Sequence, residues 1–277
     1  MTIATDPALA AALLAAGTEN NPVIAHVNEG ASATVSTTTG TEGAAAVNAV
    51  SGATYNFWSC TPSGGNLARI QFVFASAVTL NFVGIAAHNL GDLGATVKVQ
   101  HSLNSGGSWI DSAAGAVSPA DNAAIGFRFQ DVTATHWRLT ISGVSADVVI
   151  GLALLSREIV IPDRIYQGYA PPLTPTQVDL QSNVSEGGHL LGSSVVRMGS
   201  AATASFGYVA PSFLRGASWL AFQAAFNSGE GFFWAWRPEK YGDLFYAWRA
   251  GAVLRPTNSG PRDLMSFDLA MRFYHEP

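Results

Sequence analysis

The sequence predicts a mainly β protein of two domains: an antiparallel β-sandwich, then a β-barrel or sandwich with one flanking α-helix. Three observations carry this. Six apolar runs between Arg69 and Leu154 have strand length and are separated by Gly, Asn, Asp and Ser turns. Several alternate with period two, so that Val97 and Val99 oppose Lys98 and Gln100, and Trp137, Leu139 and Ile141 oppose Arg138 and Thr140. A stiff connector carrying Pro162, Pro171, Pro172 and Pro175 then interrupts the pattern, and a different mixture of strand and helix signals follows.

Residues 1–22 form an N-terminal arm with a short helix. Asp6 caps it, Pro7 occupies its first position, Ala8 to Ala16 are strong helix formers, and Gly17 stops it. This helix has no polar face, so it has to pack on something, either the rest of the chain or a neighbouring copy.

Residues 23–160 form the sandwich. Its runs are Arg69–Phe74, Val78–Ala86, Thr96–His101, Ile125–Phe129, His136–Ile141 and Val148–Leu154. Residues 161–175 are the connector, and residues 176–277 the second domain. There Val178–Gln181 and Ser194–Tyr208 read as strands. Residues 211–227 read as an amphipathic helix with proline at its start, Phe213, Leu214, Ala217, Leu220, Ala221 and Ala224 on its apolar face, and Gly229 as its stop. The strands Gly231–Arg237 and Leu244–Arg249 form a hairpin. In the last strand Met265, Phe267, Leu269, Met271 and Phe273 alternate with polar or small residues, so one face is core.

Composition excludes several classes of function. Charged residues make up 12% of the 277, with only two lysines, Lys98 and Lys240, and a net charge of -5. A chain with no basic cluster lacks the footprint of a nucleic-acid binder. The apolar stretch Ala8–Ala16 has no basic residue before it and is shorter than the ~20 residues a bilayer span needs, so neither a secretory signal nor membrane insertion is expected. The lone Cys60 forbids an intrachain disulfide and reads as a small buried side chain.

Nothing in the chain reads as a catalytic or metal site. No phosphate loop, dinucleotide fingerprint, nucleophile elbow or zincin motif is present. The six histidines, His26, His88, His101, His136, His189 and His275, show no metal-ligand spacing. Glu230, Glu239, Asp243, Asp263 and Asp268 lie in or beside turns, and no two are singled out as an acid pair. No enzyme activity, cofactor or metal is expected.

Two local features stand out. Ser102-Leu103-Asn104-Ser105-Gly106-Gly107-Ser108-Trp109 is similar to the Asp-box hairpin, with Asn104 bonding back to the turn amides, Gly106 or Gly107 at positive φ and Trp109 covering the turn. In the C-terminal part Phe232, Phe233, Trp234, Trp236, Tyr241, Phe245, Tyr246 and Trp248 crowd together. They read either as a sugar-stacking platform or as core plus subunit interface. The interface is favoured, through Trp234, Trp236, Arg237, Trp248 and Arg249, because Trp, Tyr and Arg concentrate there.

The run Ala44-Ala45-Ala46-Val47-Asn48-Ala49-Val50-Ser51-Gly52-Ala53-Thr54-Tyr55-Asn56-Phe57-Trp58, with Ala68–Phe72, Val97–Ser102 and Thr135–Leu139, resembles discoidin (coagulation factor 5/8 type C), galactose-binding-like jelly rolls. The resemblance covers residues 23 to 157. It implies glycan or lipid recognition by loops at one end of the sandwich, here near Trp58, Asn89 and Trp109. Many such domains hold calcium; only Asn56 stands beside Tyr55 and Trp58, and no acidic cluster is present there.

The phrases Phe82–Gly91 and Phe226–Trp234, with the hydrophobic final strand, are similar to tail and baseplate proteins of long-tailed bacteriophages. That resemblance implies a distal-tail or minor-tail structural component. It would be made in the host cytoplasm and located in the virion tail, forming a homo-oligomeric ring, hexamer or trimer, that contacts other tail or baseplate proteins. A host-surface glycan is the alternative partner.

Overall fold

A computed structural model describes residues 2–165, 168–174, 177–259 and 263–275. Pro175, with residues 166 and 167 of the connector and residues 176 and 277 that bound the second domain, lies outside them. The fold is mainly β. Its strands are β1 (Thr2–Thr5), β2 (Val23–Ala25), β3 (Thr34–Thr39), β4 (Thr41–Ala44), β5 (Trp58–Thr61), β6 (Leu67–His88), β7 (Thr96–Ser102), β8 (Ile110–Val117), β9 (Ile125–Ser142) and β10 (Val148–Ser156). They continue with β11 (Ile159–Val160), β12 (Gln177–Val184), β13 (Leu190–Val209), β14 (Phe232–Ala235), β15 (Phe245–Arg249), β16 (Thr257–Asn258) and β17 (Met265–Phe273). The helices are α1 (Pro7–Ala16), α2 (Pro211–Leu214), α3 (Ala217–Ser228) and α4 (Pro238–Tyr241).

The first domain is a jelly-roll sandwich whose layers are joined by two long bent strands. Two pairs of runs that read separately in the sequence are continuous: β6 spans both Arg69–Phe74 and Val78–Ala86, and β9 both Ile125–Phe129 and His136–Ile141. The first half of β6 pairs with the second half of β9, and β3 and β7 flank them. After a register break between Val73 and Val78, the second half of β6 pairs with the first half of β9 and with β10. A bulge bends and twists a strand, which lets one strand serve two layers. Ile70, Phe72, Val83, Ile85, Phe127, Trp137, Leu139 and Ile141 from both halves meet in one core.

The N-terminal segment is part of this sandwich. Strand β1 pairs parallel with β9, Thr2 opposite Ile125. Helix α1 then follows with the expected ends: the Asp6 carboxylate accepts from the Ala8 amide at 2.8 Å, and Gly17 takes φ 69°. None of its residues is buried, and Leu14 is 67% exposed.

The second domain is an eight-stranded antiparallel sheet among the described residues, in the order β11-β2-β14-β15-β17-β13-β12, with β16 on the edge of β17. Strands β2 and β11, at the two margins of the 23–160 segment, pair here rather than in the sandwich. The predicted helix over 211–227 is two helices, α2 and α3, broken at Arg215 and Gly216. Trp219, Phe222 and Phe226 of α3 cover one sheet face together with Phe206, Phe232, Trp234, Phe245 and Phe267.

The opposite face of this sheet packs on the sandwich. A second irregularity in β6, between Leu80 and Phe82, reverses the strand's alternation, so that Leu80 faces the first core while Phe82 and Ala86 face outward. There they meet Leu152, Leu154, Val23, Ala25, Phe233, Leu244 and Tyr246 in a third apolar cluster between the domains. Two glycines permit the approach: a Cβ on Gly84 would stand 2.6 Å from the Phe233 ring, and one on Gly126 2.7 Å from a Leu244 methyl.

A candidate ligand cleft between the domains

The junction is sealed on one side and open on the other. On the open side a cleft of about 560 Å³ runs between the layers, and a mouth of about 280 Å³ continues it. The position follows from the connections. Strand β2 leaves the second sheet at His26, and the 3-10 turn Ala46–Val50 delivers Ser51, Gly52 (φ 80°), Ala53, Thr54 and Tyr55 to the rim. From the other domain, Gly229 ends α3 in the left-handed region, Glu230 and Gly231 lead into β14, and Tyr246 and Trp248 project from β15.

Tyr246 anchors the floor. Its hydroxyl donates to the Gly52 carbonyl at 3.1 Å, and burial pushes its pKa up to about 12, so it remains a neutral donor. Gly231 has to be glycine, because a Cβ there would lie 2.0 Å from the Tyr246 hydroxyl oxygen. His26, packed on Phe222 with ring centroids 5.5 Å apart, also lines the cleft. Burial lowers its pKa, while the nearby Glu230 carboxylate pulls the other way. At the mouth, Tyr55 of the first domain and Trp248 of the second line one opening, and Tyr55 is 87% exposed. A bare aromatic ring beside a polar-floored cleft at a domain boundary is the common form of a small-ligand site. Among the described residues Glu230 is the one carboxylate lining it, whereas most glycosidases set two beside the bond they cleave. Among the described residues no three His, Cys, Asp or Glu side chains converge as metal ligands.

The structure redistributes the residues singled out in the sequence. Trp58 does not face a loop surface; it is wholly buried in the first core, and its indole donates to the Thr37 hydroxyl at 2.8 Å. Its neighbours Tyr55 and Phe57 are the exposed rings of that segment. Asn89 is a brace: its side chain donates to the Asp147 carbonyl at 2.8 Å and accepts from the Val149 amide at 2.9 Å. Trp109 lies half-buried on the outer sheet face, under the Arg138 guanidinium. Its hairpin follows the expected turn chemistry, with Asn104 accepting from the Ser108 amide at 2.8 Å and Gly106 at φ 87°.

The proposed interface residues also separate. Trp234 is core, and its indole donates to the Tyr169 hydroxyl at 2.9 Å. Trp236 is half-buried, stacked on Tyr241 at 5.1 Å with Arg237 over its ring. Arg249 and Trp248 are half-buried at the end of β15, and Trp248 reaches the cleft mouth. Sequence reasoning did not bring His26, Tyr55, Glu230 and Tyr246 together. The absence of alternation around Tyr55, in a Gly-Ala-Thr loop, was the one local sign that its ring is not core.

No protein family model matches the chain, and no curated protein matches it. Among solved structures, it is similar to a GH29 fucosidase of Ruminococcus gnavus at 14% identity and a TM-score of 0.39, over 48% of this chain and 27% of that one. It is similar to the chitosan-binding module 1 of a chitosanase/glucanase from Paenibacillus sp. IK-5, at 20% identity and a TM-score of 0.40, over 47% of this chain and 98% of the module. A third likeness is to a CBM32 module from Clostridium perfringens in complex with GalNAc-β-1,3-galactose, at 12% identity and a TM-score of 0.39, over 46% of this chain and 96% of that one. Nothing in these likenesses points to a phage tail tip or baseplate.

Proposed function

We propose that the protein binds a saccharide in the interdomain cleft, without catalysing its hydrolysis. The observation that carries this reading is the pairing of Tyr55 and Trp248 at one mouth, one ring from each domain, above a floor that offers Tyr246, His26 and Glu230. The flat apolar faces of pyranose rings suit exposed aromatic rings, while their hydroxyls need donors and acceptors fixed in advance. The lone carboxylate supports binding rather than cleavage. A glycan array on the purified chain, followed by calorimetry, tests it. Tyr55→Ala and Trp248→Ala should each raise Kd about tenfold or more while the fold remains intact. Unchanged affinity in both variants, or no glycan bound at all, removes the reading.

A second reading has its own support: a homo-oligomeric structural component, of which the phage distal-tail or minor-tail protein is the particular form. Helix α1 presents only Ala and Leu after its proline and buries none of them. The hairpin between β12 and β13 carries Val184, Leu190 and Leu191 at 58, 67 and 70% exposure. Apolar surface of this kind is what copies bury against one another. Light scattering behind size exclusion decides it: a ring-sized particle supports it, and a strict monomer at all concentrations ends it.

A further inference from the structure

The outer face of the sandwich holds a second constellation, away from the cleft. Strand register places Gln71, Arg138, Gln100 and Asp111 in one row across β6, β9, β7 and β8, and Arg69, Thr140 and Lys98 in the next. They point outward because their neighbours Ile70, Leu139, Ile141, Val97 and Val99 fill the core. The row is pre-bonded. Arg138 Nε donates to Gln100 Oε1 at 2.7 Å, Thr140 donates to the same oxygen at 2.8 Å, the Gln100 amide donates to Asp111, and Lys98 Nζ reaches Asp111 at 2.8 Å.

These bonds use up the acceptors and leave cation behind. Asp111 is the one acid in the two rows, and Lys98 and Gln100 already occupy it. Arg69 and Arg138 are diagonal neighbours on adjacent strands, within reach of one another. Burial, with the charge of Arg69, pushes the Arg138 pKa down to about 10, as expected where two guanidiniums share too little anion. Arg69 Nε is buried without a hydrogen-bond partner, and its Nη1 makes only a 3.4 Å contact to Thr39. The Arg138 guanidinium also lies 4.0 Å above the half-buried Trp109 ring, which places an indole at the edge of the doublet.

We infer that this face binds an acidic saccharide, with its carboxylate or sulfate received by Arg69 and Arg138 and a sugar ring set beside Trp109. A guanidinium pair offers an oxyanion several charge-assisted bonds, and the Gln100 and Asp111 scaffold holds Arg138 in place before the ligand arrives. Two guanidiniums whose charge no carboxylate pairs directly suit a locally charged sugar. They do not suit a nucleic acid, which needs an extended basic stripe on a chain whose net charge is here -5. The inference is separate from the cleft reading.

The test is calorimetry on the full chain with oligogalacturonate and with a sulfated oligosaccharide, against a neutral galactan and polyglutamate. One or both acidic saccharides should bind, more weakly as salt rises, and which of the two does so identifies the anion. Arg138→Gln, Arg69→Gln and Trp109→Ala should each weaken that binding about tenfold or more, with Arg69→Lys intermediate and with near-ultraviolet circular dichroism unchanged. Tyr55→Ala should leave it intact. The inference is overturned when no acidic saccharide binds, when polyglutamate binds as tightly, or when the arginine variants bind normally. Loss of acidic-saccharide binding in Tyr55→Ala also overturns it, by assigning that ligand to the cleft.

Discussion

Arg128 of the sandwich donates to Glu239 of the second domain at 2.7 Å, from a side chain that is 1% exposed. The same guanidinium forks onto Glu158 at 2.7 and 2.8 Å, and Thr5 donates to Glu239 at 2.8 Å. One cation thus ties together β9, the end of β10, β1 and α4. The contacts hold its pKa above the usual arginine range against the opposing effect of burial. A buried ion is tolerated when its charge and its hydrogen bonds are both answered.

Removing the cation should therefore be costly. Arg128→Ala leaves Glu158, 5% exposed, without its counter-ion, and should lower unfolding stability by about 3 to 5 kcal/mol in urea titrations. Glu239→Gln, at the more exposed arm, should cost clearly less.

The close approach at Gly84 gives a second expectation. Gly84→Ala places a methyl group against Phe233 and should destabilise by about 1 to 3 kcal/mol. In a Phe233→Ala background the added methyl should cost less, because the obstructing ring is gone. A double-mutant cycle reads the coupling directly, and a coupling of zero would show that the layers do not meet there.

Acid should loosen the fold through buried histidine. Burial lowers the pKa of His88 to about 4, and its Nδ1 accepts from the Leu90 amide. In the unfolded chain the same ring takes its proton near 6.5. Between these values the unfolded state binds more protons, so stability is full above about pH 6.5 and declines as pH falls towards 4, by about 3 kcal/mol for this residue. His26, His101 and His275 shift in the same direction. His88→Asn, compared with the parent chain in urea melts across that range, should flatten the decline.

Two tryptophans on the paired strands β14 and β15 should behave oppositely. Trp234→Ala empties the second core and should cost about 3 to 5 kcal/mol, whereas Trp248→Ala at the cleft mouth should change stability by less than about 1 kcal/mol. Thermal melts of the two variants separate the roles.

Much of the fold was legible because its signals are local. The alternation of β17 predicts Met265, Phe267, Leu269, Met271 and Phe273 as core; the last four are buried, and Met265, at the start of the strand, is half-buried. Asp6, Pro7 and Gly17 mark the ends of α1 by chemistry confined to one turn at each end. The gaps in the reading lie where alternation breaks. The irregularities at Val73/Val78 and Leu80/Phe82 join two apparent strands into one and turn Phe82 from the first core to the junction.

The candidate sites were less legible, for a related reason. Period two says that Arg138 and Gln100 stand opposite the core residues of their strands, but it does not say that Arg69, far away in sequence, stands diagonal to Arg138. Nor does it say which aromatic rings another layer will cover. Trp58 and Tyr55 are three residues apart and equally suited to either place; contacts with Thr37 and the first core bury the one, and the loop after Gly52 leaves the other bare. By itself the sequence determined the β class, the strand faces and the helix ends, because those follow from the backbone's own periodicity and capping. Only the tertiary structure decided which outward faces became a junction, a cleft or a cationic row, because that depends on which distant strands pair and how closely two layers can approach.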